Sequence, residues 1–239
     1  IYRAQKKEER IEAHEMPVKK FEKNGFKVTK ADGRKEEFDF EKIEKMFAHA
    51  VKGYEDKCTF DELMQAFKKN IVEDMKTSDI AKLLVKTCID LVTVENIAWE
   101  HIAGRLALFD LYKKAGKNRG ISQKEIYTGK SYVSFFEDYI EKGLYYKDFM
   151  KYYSKEDIQK AGEMLAKYGK ETDMSYGYTT VLSLSKRYLL NPNKVVKELP
   201  QELYMSVALF YAIPETPENR LKFAFQVYEY CSEQKISLA

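Results

Sequence analysis

Two short runs of alternating apolar and polar residues stand on either side of Asp32-Gly33. Phe26, Val28 and Lys30 share one parity in the first run; Glu36, Phe38 and Phe40 share it in the second. A period of two marks strands, and Asp-Gly between such runs marks a hairpin. A two-residue loop at 32–33 would set Val28 opposite Glu37 and Phe26 opposite Asp39, apolar against charge. An odd-length loop with a bulge instead aligns the even-numbered residues, so that Phe26, Val28, Phe38 and Phe40 line one face. The odd loop is therefore expected. It also turns Lys30 and Glu36 toward that face. The hairpin then reads as a lid, with an apolar base packed on helices and a cation and an acid turned inward near its tip. Such groups need a polar partner, which is either each other at the rim or something bound beneath.

Beyond the hairpin the apolar period lengthens to that of helices. FDFEKIEKMFAHAVKGY puts Ile43, Met46, Phe47 and Ala50 on one face. TFDELMQAFKKNIVEDM opens on Thr59 with Glu62 three residues on, a capping-box spacing. KTSDIAKLLVKTCIDLV opens on Thr77 or Ser78 as cap and carries Ile80, Leu83, Leu84, Thr87, Cys88 and Leu91. NIAWEHIAGRLALFDLYKKAG carries Ile97, His101, Leu106, Leu108 and Leu111, and is expected to stop at Lys113, Lys114 and Gly116. The polar, Gly-rich stretch GKNRGISQ at 116–123 is the expected domain boundary. It divides a unit at 25–116 from a helical unit at 123–239. The second unit should hold helices in YVSFFEDYIEKGL, SKEDIQKAGEMLAKYG, YTTVLSLSKRYLL, PQELYMSVALFYAI and PENRLKFAFQVYEYCSEQ, with a turn at Asn191-Pro192-Asn193.

Composition narrows the class. The 239 residues carry 41 basic and 38 acidic side chains, a net charge of +3. So balanced a chain has no general footprint for nucleic acid. No apolar run approaches ~20 residues, so no membrane-spanning helix is expected. Residues 1–24, with His14 and Pro17 among Lys, Glu and Arg, read as a solvated, partly helical or disordered extension. Three separated cysteines, Cys58, Cys88 and Cys231, argue for a reducing, cytoplasmic setting rather than a disulfide framework. They read as small buried hydrophobes. His49 and His101 are too isolated for a metal site, and none is expected. Tyr145, Tyr146, Tyr152, Tyr153, Tyr176 and Tyr178 read as amphipathic packing residues. The chain begins with Ile and ends in KISLA, and reads as a piece of something longer.

The candidate chemistry gathers at the hairpin. Lys42 falls in the first turn of the following helix, with Asp39 as its cap. Thr77-Ser78 opens another helix just after Lys76. Helix N-termini present free N–H groups and partial positive charge, which suits phosphate. With Lys30 and Lys113, these groups around one lid would make a triphosphate site. No GxxxxGK[ST] is present, so it is not a P-loop.

KVTKADGRKEEFDFEKI, then MKTSDI, then AGRLALFDLYKKA resemble in order and spacing the ATP-cone, the overall-activity regulatory domain of ribonucleotide reductases. The later RYLL, ELPQELYMSVALF and KISLA resemble the helical region between the cone and the catalytic barrel of the large (alpha) chain. The resemblance implies a mainly α fold: a β-hairpin lid on a four-helix bundle, then an all-helical domain that precedes the barrel. It implies that ATP as activator, or dATP as inhibitor, binds under the lid, with Mg2+ accompanying the nucleotide. The site residues it implies are Lys30, the stretch Glu36, Glu37, Phe38, Asp39, Phe40, Glu41 and Lys42, then Thr77 and Lys113. One position departs: where the family has arginine beside the lid lysine, this chain has Ala31. The family reduces ribonucleotides by cysteine and radical chemistry, and its catalytic cysteines correspond to positions beyond Ala239. This stretch alone is therefore expected to be inactive. The implied partners are the barrel, a radical-generating small (beta) subunit and further alpha chains, with no nucleic acid or membrane. The alternative is a stand-alone cone regulator. The repressor of reductase genes that carries a cone has a zinc ribbon ahead of it, and no CxxC pair is present here.

Overall fold

The computed structural model describes residues 26–30 and 32–236. The expectations for the 1–24 extension, for Ala31 and for the last three residues lie outside the described residues. The described chain forms two compact units. One runs to Ala107 and takes in Gly177–Thr179; the other holds Leu108–Tyr176 and the chain from Thr180 onward.

In the first unit, β1 (Lys27–Thr29) pairs antiparallel with β2 (Lys35–Glu37). Lys27 faces Glu37, Val28 faces Glu36 and Thr29 faces Lys35, so the loop between the strands is odd. Gly33 N–H donates to the Lys30 carbonyl and Lys30 N–H to the Arg34 carbonyl, with Gly33 at φ 84°. This is the turn-plus-bulge that a three-residue loop requires, and glycine supplies its left-handed position. Side-chain parity follows: Phe26 and Val28 are buried, Lys30, Glu36 and Phe38 half-buried, Lys35 and Glu37 exposed.

Four helices follow. α1 (Phe40–Ala50) starts at Asp39, whose carboxylate accepts the Lys42 N–H, and buries Ile43, Phe47 and Ala50; Met46 is half-buried. α2 (Phe60–Lys68) starts at Thr59, whose hydroxyl accepts the Glu62 N–H. α3 (Thr77–Asp90) departs from expectation. Its cap residue is Lys76, Thr77 is already helical, and no side chain caps the end. α4 runs Ala98–Arg119, past the expected stop. Lys113 is therefore inside the helix, and the left-handed glycine beyond the end is Gly120, at φ 69°. Gly116 serves a different need: a Cβ there would lie 2.9 Å from the Ile121 carbonyl oxygen. Ile97, expected on the apolar face, precedes the helix and is exposed. Arg105 closes the unit, donating to the carbonyls of Ala50 and Lys52 at 2.7 and 2.6 Å and lying over the Tyr54 ring. His101 stacks on that ring.

The second unit contains α5 (Gly129–Glu141), the short α6 (Phe149–Tyr152), α7 (Lys155–Met164), α8 (Lys170–Met174), α9 (Tyr178–Ser183), α10 (Pro200–Tyr211) and α11 (Pro217–Ser232). Tyr178 and Thr179 of α9 belong to the first unit. Ser154 and Asp157 form the capping box of α7. α5 and α7 pack at their glycines: a Cβ on Gly162 would lie 2.7 Å from the Gly129 Cα and 2.8 Å from the Tyr132 Cβ. Wide π-helical turns at Leu165–Gly169 and Leu184–Tyr188 extend α7 and α9. Such turns shift the register of the residues beyond them. Asn193 and Lys194 take positive φ in the expected turn.

Candidate functional site

The hairpin is held down at both ends of its inner face. At the base, Phe38 contacts Phe26 edge-on at 6.0 Å, Phe40 at 4.8 Å and Phe67 of α2 at 6.3 Å. Along its outer edge, β1 pairs with the segment entering α3. Thr29 N–H donates to the Met75 carbonyl, Asp74 N–H donates to the Lys27 carbonyl, and Thr29 and Lys76 form a parallel bridge. The hairpin is thus tied to the segment entering α3, which places Thr77 one residue from the bridge. Thr77 is half-buried there.

Lys30 and Glu36 meet on the inner face at 2.7 Å, each about one-third exposed (37% and 36%). Of the two partners open to them in the sequence, they take each other. Such a pair is worth about 0–1 kcal/mol. A charge-assisted hydrogen bond to phosphate is worth about 1.5–3 kcal/mol. A pair of this strength gives way readily to another partner. Lys42 is exposed, and its ammonium sits 3.0 Å from Asp39. That contact raises the Lys42 pKa and lowers that of Asp39. Glu37 and Glu41 are also exposed, the latter bridged to Lys45. Lys113 is exposed on the part of α4 that belongs to the second unit.

One contributor was not foreseen. Asp74 adopts φ 61° and carries its carboxylate to Lys35 Nζ at 2.7 Å. VEDM offers only one charge among many, and the signal that singles Asp74 out is its backbone conformation.

A second concentration of polar groups lies in the other unit, in the core rather than at the surface. Asp173, fully buried, accepts from the hydroxyls of Tyr112 and Tyr127 on one oxygen and from Gln201 Nε2 on the other. Gln201 also donates to Tyr176, and its carbonyl accepts from Tyr228. Arg119 reaches the buried Glu202 at 2.6 Å and lies over the Phe135 ring. Glu198 accepts from Tyr145 and from the Leu190 N–H. Burial pushes the carboxyls up, Asp173 to about 6, Glu202 to about 7 and Glu198 to about 8, against the pull of their donors and, for Glu202, of Arg119. Every hydrogen bond of this cluster runs to another part of the chain, so it reads as structural. Tyr145, Tyr153 and Tyr176 therefore pack and also hydrogen-bond. All three cysteines are free and buried, as expected, and burial holds the Cys58 thiol up at about 11. Among the described residues no cluster of His, Cys, Asp or Glu is arranged to hold a metal, and no helix is long and apolar enough to cross a membrane.

Residues 26–114 match the family described as the ATP cone domain, and residues 174–239 match the ribonucleotide reductase all-alpha domain. The chain is 30% identical to the ribonucleoside-diphosphate reductase subunit alpha of Helicobacter pylori over 208 residues, 86% of this chain and 24% of the relative. It is 30% identical to the Synechocystis subunit alpha over 167 residues, 70% of this chain and 20% of the relative. It is 27% identical to reductase 1 subunit alpha of Escherichia coli over 216 residues, 88% and 26% of the two chains. The chain spans about a quarter of the length of the curated relatives it matches.

Proposed function

We propose, for a chain that belongs to the ribonucleotide reductase alpha-subunit family, that its hairpin unit binds ATP or dATP and sets the overall activity of the complete alpha chain. The regulatory unit is residues 25–116, and residues 123–239 form the helical region ahead of a catalytic barrel. The complete protein reduces ribonucleoside diphosphates with a radical supplied by a small beta subunit, as an oligomer of alpha chains in the cytoplasm. The 239 residues alone do not catalyse the reduction. The all-alpha match at 174–239 favours this over a stand-alone cone regulator.

The observation that carries the reading is the inward, half-buried Lys30 beside a helix start that no side chain caps. Lys30 would take a phosphate oxygen. The free N–H groups at Thr77 and Ser78, with the Thr77 hydroxyl, suit a second phosphate group. Lys42 adds positive charge, with Mg2+ accompanying the nucleotide. Titration calorimetry of ATP and dATP into the chain tests this. Both should bind, and Lys30→Ala should weaken each about tenfold. Unchanged affinity in that variant would remove Lys30 from the site.

A further inference from the structure

Asp74 is the residue the nucleotide reading does not use, and it touches both strands of the hairpin. Its N–H donates to the Lys27 carbonyl at 2.9 Å and its carbonyl accepts the Thr29 hydroxyl at 3.1 Å. Its carboxylate takes Lys35 Nζ, on β2, at 2.7 Å. Next along the chain, Met75 accepts the Thr29 N–H at 3.0 Å, and Lys76 leads directly into α3. Asp74 does this at φ 61°, a left-handed conformation that glycine adopts without cost and aspartate tolerates. Glycine would satisfy the backbone here but would leave Lys35 without this carboxylate. A side chain kept at a position that disfavours one points to a use for the side chain.

We infer that Asp74 is a positioning residue for the nucleotide site: its clasp on β1 and β2 fixes the hairpin to the start of α3, so that Lys30 and the Thr77 N-terminus are presented in one geometry. The inference rests on the nucleotide reading above. Three of the four bonds are made by backbone atoms or a neutral hydroxyl and set the alignment of β1. The Lys35–Asp74 contact is the one that reaches β2, which carries Glu36. If it opens, the β2 side of the tip can tilt while β1 stays in place. The pair is about half exposed, 58% and 46%, so its effect on overall stability is small. Its effect on ligand geometry is the informative one.

The test is a double-mutant cycle on the 239-residue chain with Lys35→Met, Asp74→Asn and both together, read by ATP titration and by amide hydrogen exchange. Each single change should raise the ATP Kd about threefold at low salt. The double variant should be no worse than either single, because both remove the same contact. Lys35→Arg should restore parent affinity, and the effect should fade at high salt. Exchange at Glu36 and Phe38, whose amides face β1, should quicken in Lys35→Met while the Thr29 amide keeps its protection. ATP affinity equal to the parent's in both single variants would overturn the positioning role alone, as would strictly additive losses. A parent chain that binds neither ATP nor dATP would overturn the nucleotide reading itself.

Discussion

Arg119 meets Glu202 at 2.6 Å, and Lys30 meets Glu36 at 2.7 Å. Bond length does not separate these two ion pairs; surroundings do. The first pair is 7% and 0% exposed, the second 37% and 36%. Removing one member of the buried pair leaves the other without its partner where water cannot reach. Removing one member of the rim pair lets water replace it. The polar groups of the second unit are therefore committed to holding helices together, whereas those of the hairpin are free to exchange partners. A charge can serve a ligand only where giving up its present contact costs little.

The largest expected effect breaks the buried side of this comparison. Arg119→Ala should destabilise the chain by about 3–5 kcal/mol, since Glu202 would be left alone in the core. Lys30→Ala should stay within about 0.5 kcal/mol. Urea unfolding followed by near-UV circular dichroism of the tyrosines measures both. Similar losses in the two variants would mean that burial does not distinguish the pairs.

pH should sharpen the same contrast. Asp173 rises from an ordinary 3.8 to about 6, and Glu198 from 4.5 to about 8, both through burial. With folded values above unfolded ones, the folded state binds more protons between pH 4 and 8. Stability is then greatest below about pH 4 as far as these groups decide it, and falls as pH rises through 6 and 8. For Asp173 alone the loss is about 3 kcal/mol. Asp173→Asn should flatten the lower part of this slope. A chain more stable at pH 8 than at pH 5 would reverse the sign and contradict the assignment.

Packing gives the next effect. Gly162→Ala would place a methyl group against the backbone of Gly129 and the Cβ of Tyr132, neither of which can swing aside. A loss of about 2–3 kcal/mol is expected in the same unfolding experiment. Gly33 has open space around it, and Gly33→Ala would be opposed only by its backbone conformation, costing about 1 kcal/mol.

The two regions also differed in how far the sequence revealed them. The hairpin register was legible because parity is a local rule: four aromatic or aliphatic residues and one Asp-Gly turn leave a single sensible loop length. Asp39 and Thr59 were legible as caps for the same reason. The end of α4 was not, because Gly116 looks like a helix stop, whereas its missing side chain accommodates the Ile121 carbonyl. The core network was not legible either. Tyr112, Tyr127, Asp173, Gln201 and Tyr228 are far apart in the chain, and each alone reads as an ordinary surface or packing residue. The folded chain brings them to one point. Asp74 was hidden for a third reason, since its role depends on a backbone angle that no residue pattern encodes.

The smallest expected effect concerns Lys42, where two roles overlap in one helix turn. Its backbone N–H is capped by Asp39, and its ammonium folds back on the same carboxylate. Lys42→Ala keeps the backbone donor, so the cap and the start of α1 should survive. What it loses is an exposed cation near the lid. Solvent screening limits such a charge, so ATP binding should weaken about threefold rather than the tenfold expected of Lys30. Asp39→Ala does the reverse. It uncaps α1 and frees the Lys42 ammonium, so helix stability should fall while nucleotide affinity holds or rises slightly at low salt. Calorimetry on both variants at two ionic strengths separates the roles. If Lys42→Ala costs as much as Lys30→Ala, Lys42 leaves Asp39 for the phosphates when nucleotide arrives, and the exchangeable charges extend from the hairpin into the first turn of α1.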